Sequence, residues 1–259
     1  MSVLDKNLVQ FMLKTTIEAG QFAAQRFNER KQVTVKSGPL DLVCDVDQDT
    51  NRLLVKRIKK EFPSHGIISE EMGIHGADRE FVWVIDPIDG TLNYIRGVPN
   101  YGVIVSLRQK EETRMGCVYV PTTGEIFYAR KNKGSYRNGA RINCSDHKTL
   151  RYSLGFTNDS LSQMRMDFVN KLGQNPNAND IWASSNGCTA ISCAQVAQGV
   201  KDWYVCSGSG KIWDYDATVL LMREAGCLVT NTSGKPWEHG DGAFIAANHV
   251  LHKELIELF

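Results

Sequence analysis

Carboxylates repeatedly follow strand-length apolar runs in this chain, and that pairing constrains the fold more than any other feature. Asp86 and Asp89 follow Phe81-Val82-Trp83-Val84-Ile85, Glu70 and Glu71 follow Ile67-Ile68-Ser69, and Asp45 and Asp47 follow Leu42-Val43-Cys44. Asp214 opens the helical stretch Trp213–Ala225. Burying an unpaired carboxylate is costly, so an acid at the end of a buried strand needs a partner or a purpose. In α/β folds the C-terminal ends of strands are where the chemistry is usually placed.

Each acid also has an ordinary structural reading. Asp47 or Asp49 could serve as the N-cap of a helix over 49–62. Glu71 reads as a solvated neighbour of Glu70, and Asp214 alone as a first-turn acid. The run from Val82 to Tyr94 resists such a reading. It joins a hydrophobic strand, two carboxylates three apart, and a Gly-Thr whose free N–H groups can start a new turn. Such N–H groups cradle phosphate oxygens, and carboxylates suit hard cations that prefer oxygen. Two carboxylates about 4 Å apart repel by roughly 4 kcal/mol at an effective dielectric near 20. Several converging acids therefore imply Mg²⁺ and a phosphate ester.

The surrounding pattern is layered α and β. Leu4, Leu8, Phe11, Met12, Ala19, Phe22, Ala23 and Phe27 are spaced for a first helix, with one polar slip at Thr15. Tyr101–Arg108, Thr113–Val120 and Glu125–Arg130 read as an antiparallel meander, and Arg137-Asn138-Gly139 as a tight hairpin turn. Strand-like Ile181–Ser184, Trp203–Cys206 and Phe244–Ala247 then alternate with helices over Thr189–Gln198, Trp213–Ala225 and a last one capped by Asn248. This predicts an α/β (α+β) chain of two subdomains. Residues 1–145 carry most of the acids and the meander, and 146–259 carry Asp214.

Composition excludes several classes. Lys+Arg exceed Asp+Glu by one over 259 residues. No bulk charge draws such a chain to nucleic acid or an anionic membrane, so a charged ligand needs a local site. The basic stretch Arg130–Arg141 reads as a solvated hairpin. No apolar run approaches the roughly 20 residues of a membrane span. The opening MSVLDKNLVQFMLK lacks the pattern of a secretory signal. Seven cysteines without a Cys-x-x-Cys pair argue against a zinc ribbon or thioredoxin-type site and suit a reduced, cytoplasmic protein.

Asp86-Pro87-Ile88-Asp89-Gly90-Thr91, with Asn93 and Tyr94 after it, resembles the signature of the inositol monophosphatase family of Mg²⁺-dependent, lithium-sensitive phosphatases. Other family motifs follow in order: Asp41-Leu42-Val43 leading to Asp47, Pro63-Ser64-His65 before Glu70-Glu71, Trp213-Asp214 heading a helix that ends Glu224-Ala225-Gly226, and Ala246-Ala247-Asn248. The resemblance implies a layered α-β-α-β-α sandwich of the sugar-phosphatase type, usually a homodimer. It implies two to three Mg²⁺ ions. Glu70, Asp86 and the Ile88 carbonyl would hold the first, Asp86, Asp89 and Asp214 the second, with a looser third near Glu70. Thr91 and Glu70 would position and activate the attacking water, and Asp47 would hold Thr91. The Gly90 and Thr91 amides would take the phosphate, with Asp89 and Ala190 beside the substrate.

The implied reaction is hydrolysis of a small polyol or sugar phosphate, foremost inositol 1-phosphate. One departure bears on substrate. The family often places a Glu several residues before Trp-Asp, but the stretch from Trp203 to Lys211 holds no acid. Fructose 1,6-bisphosphate, histidinol phosphate, a 3′-phosphorylated nucleotide and NADP remain alternatives, and Lys211 either faces a second anionic group or is a surface lysine. A haloacid dehalogenase-type phosphatase fits less well, because Asp86-Pro87-Ile88-Asp89 has one residue too many for Asp-x-Asp. A non-catalytic metal- or phosphate-binding protein is the rival from another class. Its calcium-loop version fails, since Thr50 and Lys56 stand where an EF-hand needs Gly and Glu. His249 and His252 share a face of the last helix and read as exposed.

Overall fold

The computed structural model describes residues 3–158, 162–176, 180–208 and 210–259. The N-terminal half runs α1 (Val3–Gln25), β1 (Val33–Val35), β2 (Leu42–Cys44), α2 (Asp45–Glu61), β3 (Gly66–Ser69), β4 (Gly73–His75), β5 (Phe81–Asp89) and α3 (Thr91–Ile95). A meander follows: β6 (Gly102–Gln109), β7 (Glu112–Val120), β8 (Glu125–Arg130), β9 (Gly134–Arg137) and β10 (Ala140–Ile142). The remainder is β11 (Leu154–Thr157), α4 (Gln163–Gln174), β12 (Trp182–Ser184), α5 (Thr189–Ala197), β13 (Trp203–Cys206), α6 (Ile212–Glu224), β14 (Leu228–Thr230), β15 (Phe244–Ala247) and α7 (His249–Ile256). Among the described residues no helix is long and apolar enough to cross a membrane.

Alternation along the strands sets the layers, because successive side chains of a strand point to opposite faces. Trp83 and Ile85 of β5, with Val103, Val105 and Leu107 of β6, pack against Leu8, Met12, Leu54 and Ile58 of α1 and α2. Ile104, Val118 and Phe127 face the other way, onto Ala190, Ala194, Ala217 and Leu221 of α5 and α6. The same two helices meet Tyr204, Cys206, Phe244 and Ala246 of the second sheet. The far face of that sheet, Trp203, Val205, Ile245 and Ala247, covers Phe168, Leu172, Leu251 and Leu255 of α4 and α7. The order is helix, sheet, helix, sheet, helix, as the resemblance implied. The eight-stranded sheet runs β10-β9-β8-β7-β6-β5-β3-β4 and the five-stranded one β12-β11-β13-β15-β14, with β1 and β2 as a separate ribbon.

Two local features position the acids. β3 and β5 are parallel, with Ser69 opposite Ile85, so Glu70, one residue past the end of β3, stands beside Asp86 of β5. Gly116 of β7 lets α6 approach closely, since a Cβ there would lie 2.7 Å from the Ala217 Cα. The hairpin turn is as expected: Asn138 and Gly139 take φ of 49° and 84° between β9 and β10.

Thr15, the polar slip of α1, lies on the buried face, as does Thr16, whose hydroxyl donates to the Met12 carbonyl at 2.8 Å. Several expectations are corrected. Phe27 lies beyond the helix end and stacks on Tyr101. The second helix starts at Asp45 rather than Asp49, because the Asp47 carboxylate reaches back to the Cys44 N–H at 2.8 Å and opens the helix there. Asp49 pairs with Arg26 at 2.6 Å instead. His252 is buried, with Nε2 2.8 Å from the Thr230 hydroxyl, while His249 is exposed.

Candidate active site

The signature acids sit on a strand that is irregular where it must be. Residues three apart on a regular strand point to opposite faces. Between Asp86, paired with Ile104, and Asp89, paired with Gly102, β5 carries one residue more than β6. This bulge, with Pro87 inside it where no ladder donor is needed, turns both carboxylates to one side. Asp86 Oδ1 accepts the Ile88 N–H at 3.0 Å. Asp89 Oδ2 accepts the Ala190 N–H at 2.7 Å and the Cys188 thiol at 2.8 Å, which ties it to the start of α5. Asp214 comes from the first turn of α6, where it accepts the Lys211 N–H.

These three acids converge. Asp86, Asp89 and Asp214 each offer an oxygen, all within 4.8 Å of one another. Burial and the negative charges of Glu70, Asp89 and Asp214 push the Asp86 carboxyl well above its usual pKa. Burial likewise raises Asp89 to about 6 and, helped by the charge of Asp89, Asp214 to about 7. A donor set of buried oxygens that repel one another fits a hard divalent cation, which supplies the missing positive charge. Glu70 stands at the edge of the cluster, its Oε1 2.9 Å from Lys36 Nζ.

Thr91 follows directly. Its hydroxyl lies 2.9 Å from the Ile88 carbonyl and 3.2 Å from Asp47 Oδ1. Asp47 thus opens α2 and holds Thr91 with one side chain, and burial pushes its pKa up to about 6. Gly90, the N-cap of α3, takes a φ of 87°, and a Cβ there would lie 2.8 Å from the Asn100 carbonyl oxygen. Only glycine fits. Asp89 and Asp214 open onto a cleft of about 350 Å³ walled by Leu40, Asn158, Asn186, Thr189 and Ser192. A larger hollow of about 940 Å³ lies elsewhere, beside Arg108, Trp237 and His239, and contains none of the three acids.

Residues 5–259 match the inositol monophosphatase family. The chain belongs to that family. It is 30% identical over 250 residues to the fructose-1,6-bisphosphatase/inositol-1-monophosphatase of Thermotoga maritima, covering 96% of this chain and 94% of that protein. It is also 30% identical over 253 residues to the Nus factor SuhB of Escherichia coli strain K12, covering 96% and 94%. The solved inositol monophosphatase of Thermotoga maritima superposes with a TM-score of 0.88 at 29% identity, covering 97% of this chain and 96% of that one.

Within this family member the expected residues are placed unevenly. Asp47, Glu70, Asp86, Ile88, Asp89, Gly90, Thr91 and Asp214 come together as described. Ala190 does not reach the cleft: it is fully buried, its N–H is taken by Asp89, and its methyl packs on Gly102. The adjacent Thr189 lines the cleft instead. Lys211 is exposed at the N-cap of α6, outside the cleft wall. In the Gly/Ser loop before it, Ser209 lies outside the described residues.

Glu71 is no solvated neighbour. Its side chain is 7% exposed and 2.5 Å from Lys36 Nζ, and burial raises its pKa to about 7. Lys36 and Cys188 are the functional-site neighbours that spacing could not find, since each reaches the acids only through the folded chain. Asp216, two residues beyond Asp214, faces away. Burial would raise its pKa, but His239, Arg108, Ser106 and Thr113 surround it and hold it below the usual carboxylate value.

Proposed function

We propose that this phosphatase-family chain is a Mg²⁺-dependent phosphomonoesterase that hydrolyses inositol 1-phosphate, or a close polyol phosphate, to the alcohol and phosphate. The observation that carries the reading is the set of three carboxylate oxygens within 4.8 Å, next to a threonine hydroxyl held from two sides. Asp86, Asp89, Asp214, Glu70 and the Ile88 carbonyl would hold two to three Mg²⁺ ions. When bound, such ions lower the pKa of a nucleophilic water and neutralise charge on the phosphate and the leaving oxygen.

The protein's own groups supply orientation. By donating to Asp47 or the Ile88 carbonyl, the Thr91 hydroxyl turns its lone pairs toward the cluster, where they accept from the attacking water. Glu70 stands beside Asp86 to receive that water's proton. The Gly90 and Thr91 amides, at the turn into α3, would donate to phosphate oxygens. Beyond the acids, Asn158, Asn186, Thr189 and Ser192 give the cleft a neutral polar wall that suits hydroxyl groups. Lys211 stands apart from that wall, which weighs against a bisphosphate.

The test is phosphate release from inositol 1-phosphate, fructose 1,6-bisphosphate, histidinol phosphate, a 3′-phosphorylated nucleotide and NADP⁺, with Mg²⁺ and with EDTA, and Asp89→Asn as control. Mg²⁺-dependent release foremost from inositol 1-phosphate, lost in the variant, is expected. Preference for another ester would reassign the substrate. Silence on the whole panel would favour the non-catalytic metal- or phosphate-binding reading. The chain is expected to act in the cytoplasm as a homodimer. Leu154 of β11 and Trp182 of β12 are left exposed at the edge of the five-stranded sheet, with Tyr152 in the turn before β11. Sedimentation velocity that finds only monomer at micromolar concentration would remove the dimer.

A further inference from the structure

Cys144 lies in the connection between the two large sheets, two residues past the end of β10 at Ile142. Its N–H donates to the Ala225 carbonyl at 2.8 Å, at the C-cap of α6. Its Sγ stands 3.6 Å from the point a Cβ on Gly226 would occupy, and Cys227 is the next residue. Cys144 packs against the core cluster that contains Cys227, so the two thiols are neighbours across this junction. One of the pair, Cys144, is half-buried, while Cys227 belongs to the core between the sheets.

We propose that Cys144 and Cys227 form an oxidisable dithiol that a hydroperoxide closes into a disulfide. The bond would staple the exit of the eight-stranded sheet to the junction of α6 and β14. The outer sulfur reacts first. The Cys144 thiolate attacks the peroxide, the O–O bond breaks, and Cys144 becomes a sulfenic acid as an alcohol or water leaves. Cys227 then attacks that sulfur, the S–S bond forms, the S–O bond breaks, and water departs with the Cys227 proton. Two electrons pass from the two sulfurs to the peroxide.

The asymmetry of the pair suits this order. The interaction between the neighbouring thiols holds Cys144 below its ordinary pKa and, with burial, pushes Cys227 well above it. A more accessible, more acidic thiol beside a buried one is the arrangement of an attacking and a resolving cysteine. The other five thiols are buried. Cys188 is engaged with Asp89, and Cys206 lies 3.2 Å from the Tyr215 hydroxyl.

The loop so closed contains α4, α5 and α6, and therefore Asp214 together with the wall residue Thr189. The cross-link would restrict the unfolded chain over that whole span while leaving the acids in place, so activity is expected to stay within about twofold and the melting temperature to rise by roughly 5–10 °C.

The experiment treats the full chain with stoichiometric hydrogen peroxide and maps peptides without reduction. A linked pair through Cys144 and Cys227, about 2 Da lighter than the two free peptides and reversed by dithiothreitol, is expected. Cys144→Ser should lose both the link and the gain in melting temperature, whereas Cys193→Ala should keep both. Over-oxidation of Cys144 without a link, a link through other cysteines, or a link that leaves the melting temperature unchanged would each overturn the proposal. Should a variant fail to fold, the peptide map of the unaltered protein decides.

Discussion

Neutralising Asp89 should stabilise the metal-free protein while destroying its metal site. Asp89 is buried, and burial moves its carboxyl from 3.8 to about 6. A group raised in this way contributes fully below its unfolded pKa, and the contribution is lost as pH rises through the folded value. By that linkage, ionised Asp89 lowers the stability of the metal-free fold by about 3 kcal/mol at pH 8 and by about half as much at pH 5. Asn at this position removes the charge and keeps an oxygen to accept from Ala190 N–H and the Cys188 thiol. In EDTA at pH 8, Asp89→Asn should therefore melt roughly 6–12 °C above the parent, with the gap shrinking by about half at pH 5. With Mg²⁺ in excess the order should invert, since the parent, with its full set of carboxylates, gains the larger binding free energy. Differential scanning calorimetry at two pH values, with and without Mg²⁺, reads all four numbers. A variant no more stable than its parent in EDTA at pH 8 would refute the reasoning, because the two donors to Asp89 would then outweigh its burial and its like-charged neighbours.

Two further substitutions separate chemistry from architecture. Thr91→Ala should lower turnover by about 100-fold or more while Mg²⁺ affinity changes less than threefold, because in the proposed mechanism the hydroxyl orients water and is not a ligand. Isothermal titration beside the phosphate assay checks this, and equal loss of both would make Thr91 structural. Gly116→Val should cost at least about 2 kcal/mol in urea unfolding, since its Cβ would meet the backbone of α6 at Ala217. A variant as stable as the parent would show that α6 can retreat freely, and Asp214 with it.

The strands and helices were legible wherever an apolar pattern ran long enough to show a period. Glu125–Arg130, Trp203–Cys206 and Phe244–Ala247 stand as read. The three-residue strands β1 and β14 carry too few side chains to show alternation, and in α4 the apolar positions Met164, Phe168 and Leu172 form only a narrow stripe. β5 shows in the sequence as an apolar run that stops at Ile85, where Asp and Pro, poor strand formers, follow. It continues to Asp89 through the bulge, and that irregularity is what makes it functional. The acids themselves were visible as carboxylates out of place beside apolar runs. What spacing could not supply is which groups meet them across the fold. Lys36 is 34 residues from Glu70, and Cys188 is 99 from Asp89. Ala190 fails for a related reason: a helix start turns adjacent residues in different directions, so Thr189 faces the cleft and Ala190 the core.

The site also explains why this architecture tolerates so much buried negative charge. Each acid is held by an element whose position is fixed by apolar packing: Asp86 and Asp89 by β5, whose Trp83 and Ile85 face α1 and α2, and Asp214 by α6, wedged between the two sheets. Full burial of one such side chain is worth roughly 1.5–3 kcal/mol, so a few of these contacts offset the penalty of a raised carboxyl. The backbone amides of Ile88, Ala190 and Lys211 each take one carboxylate oxygen, so every acid is already oriented before any cation arrives. The ordering entropy of the site is thus met in folding rather than in binding. What remains for the metal is the electrostatic term, and its affinity should climb between pH 5 and 8 as the carboxyls near 6 and 7 lose their protons.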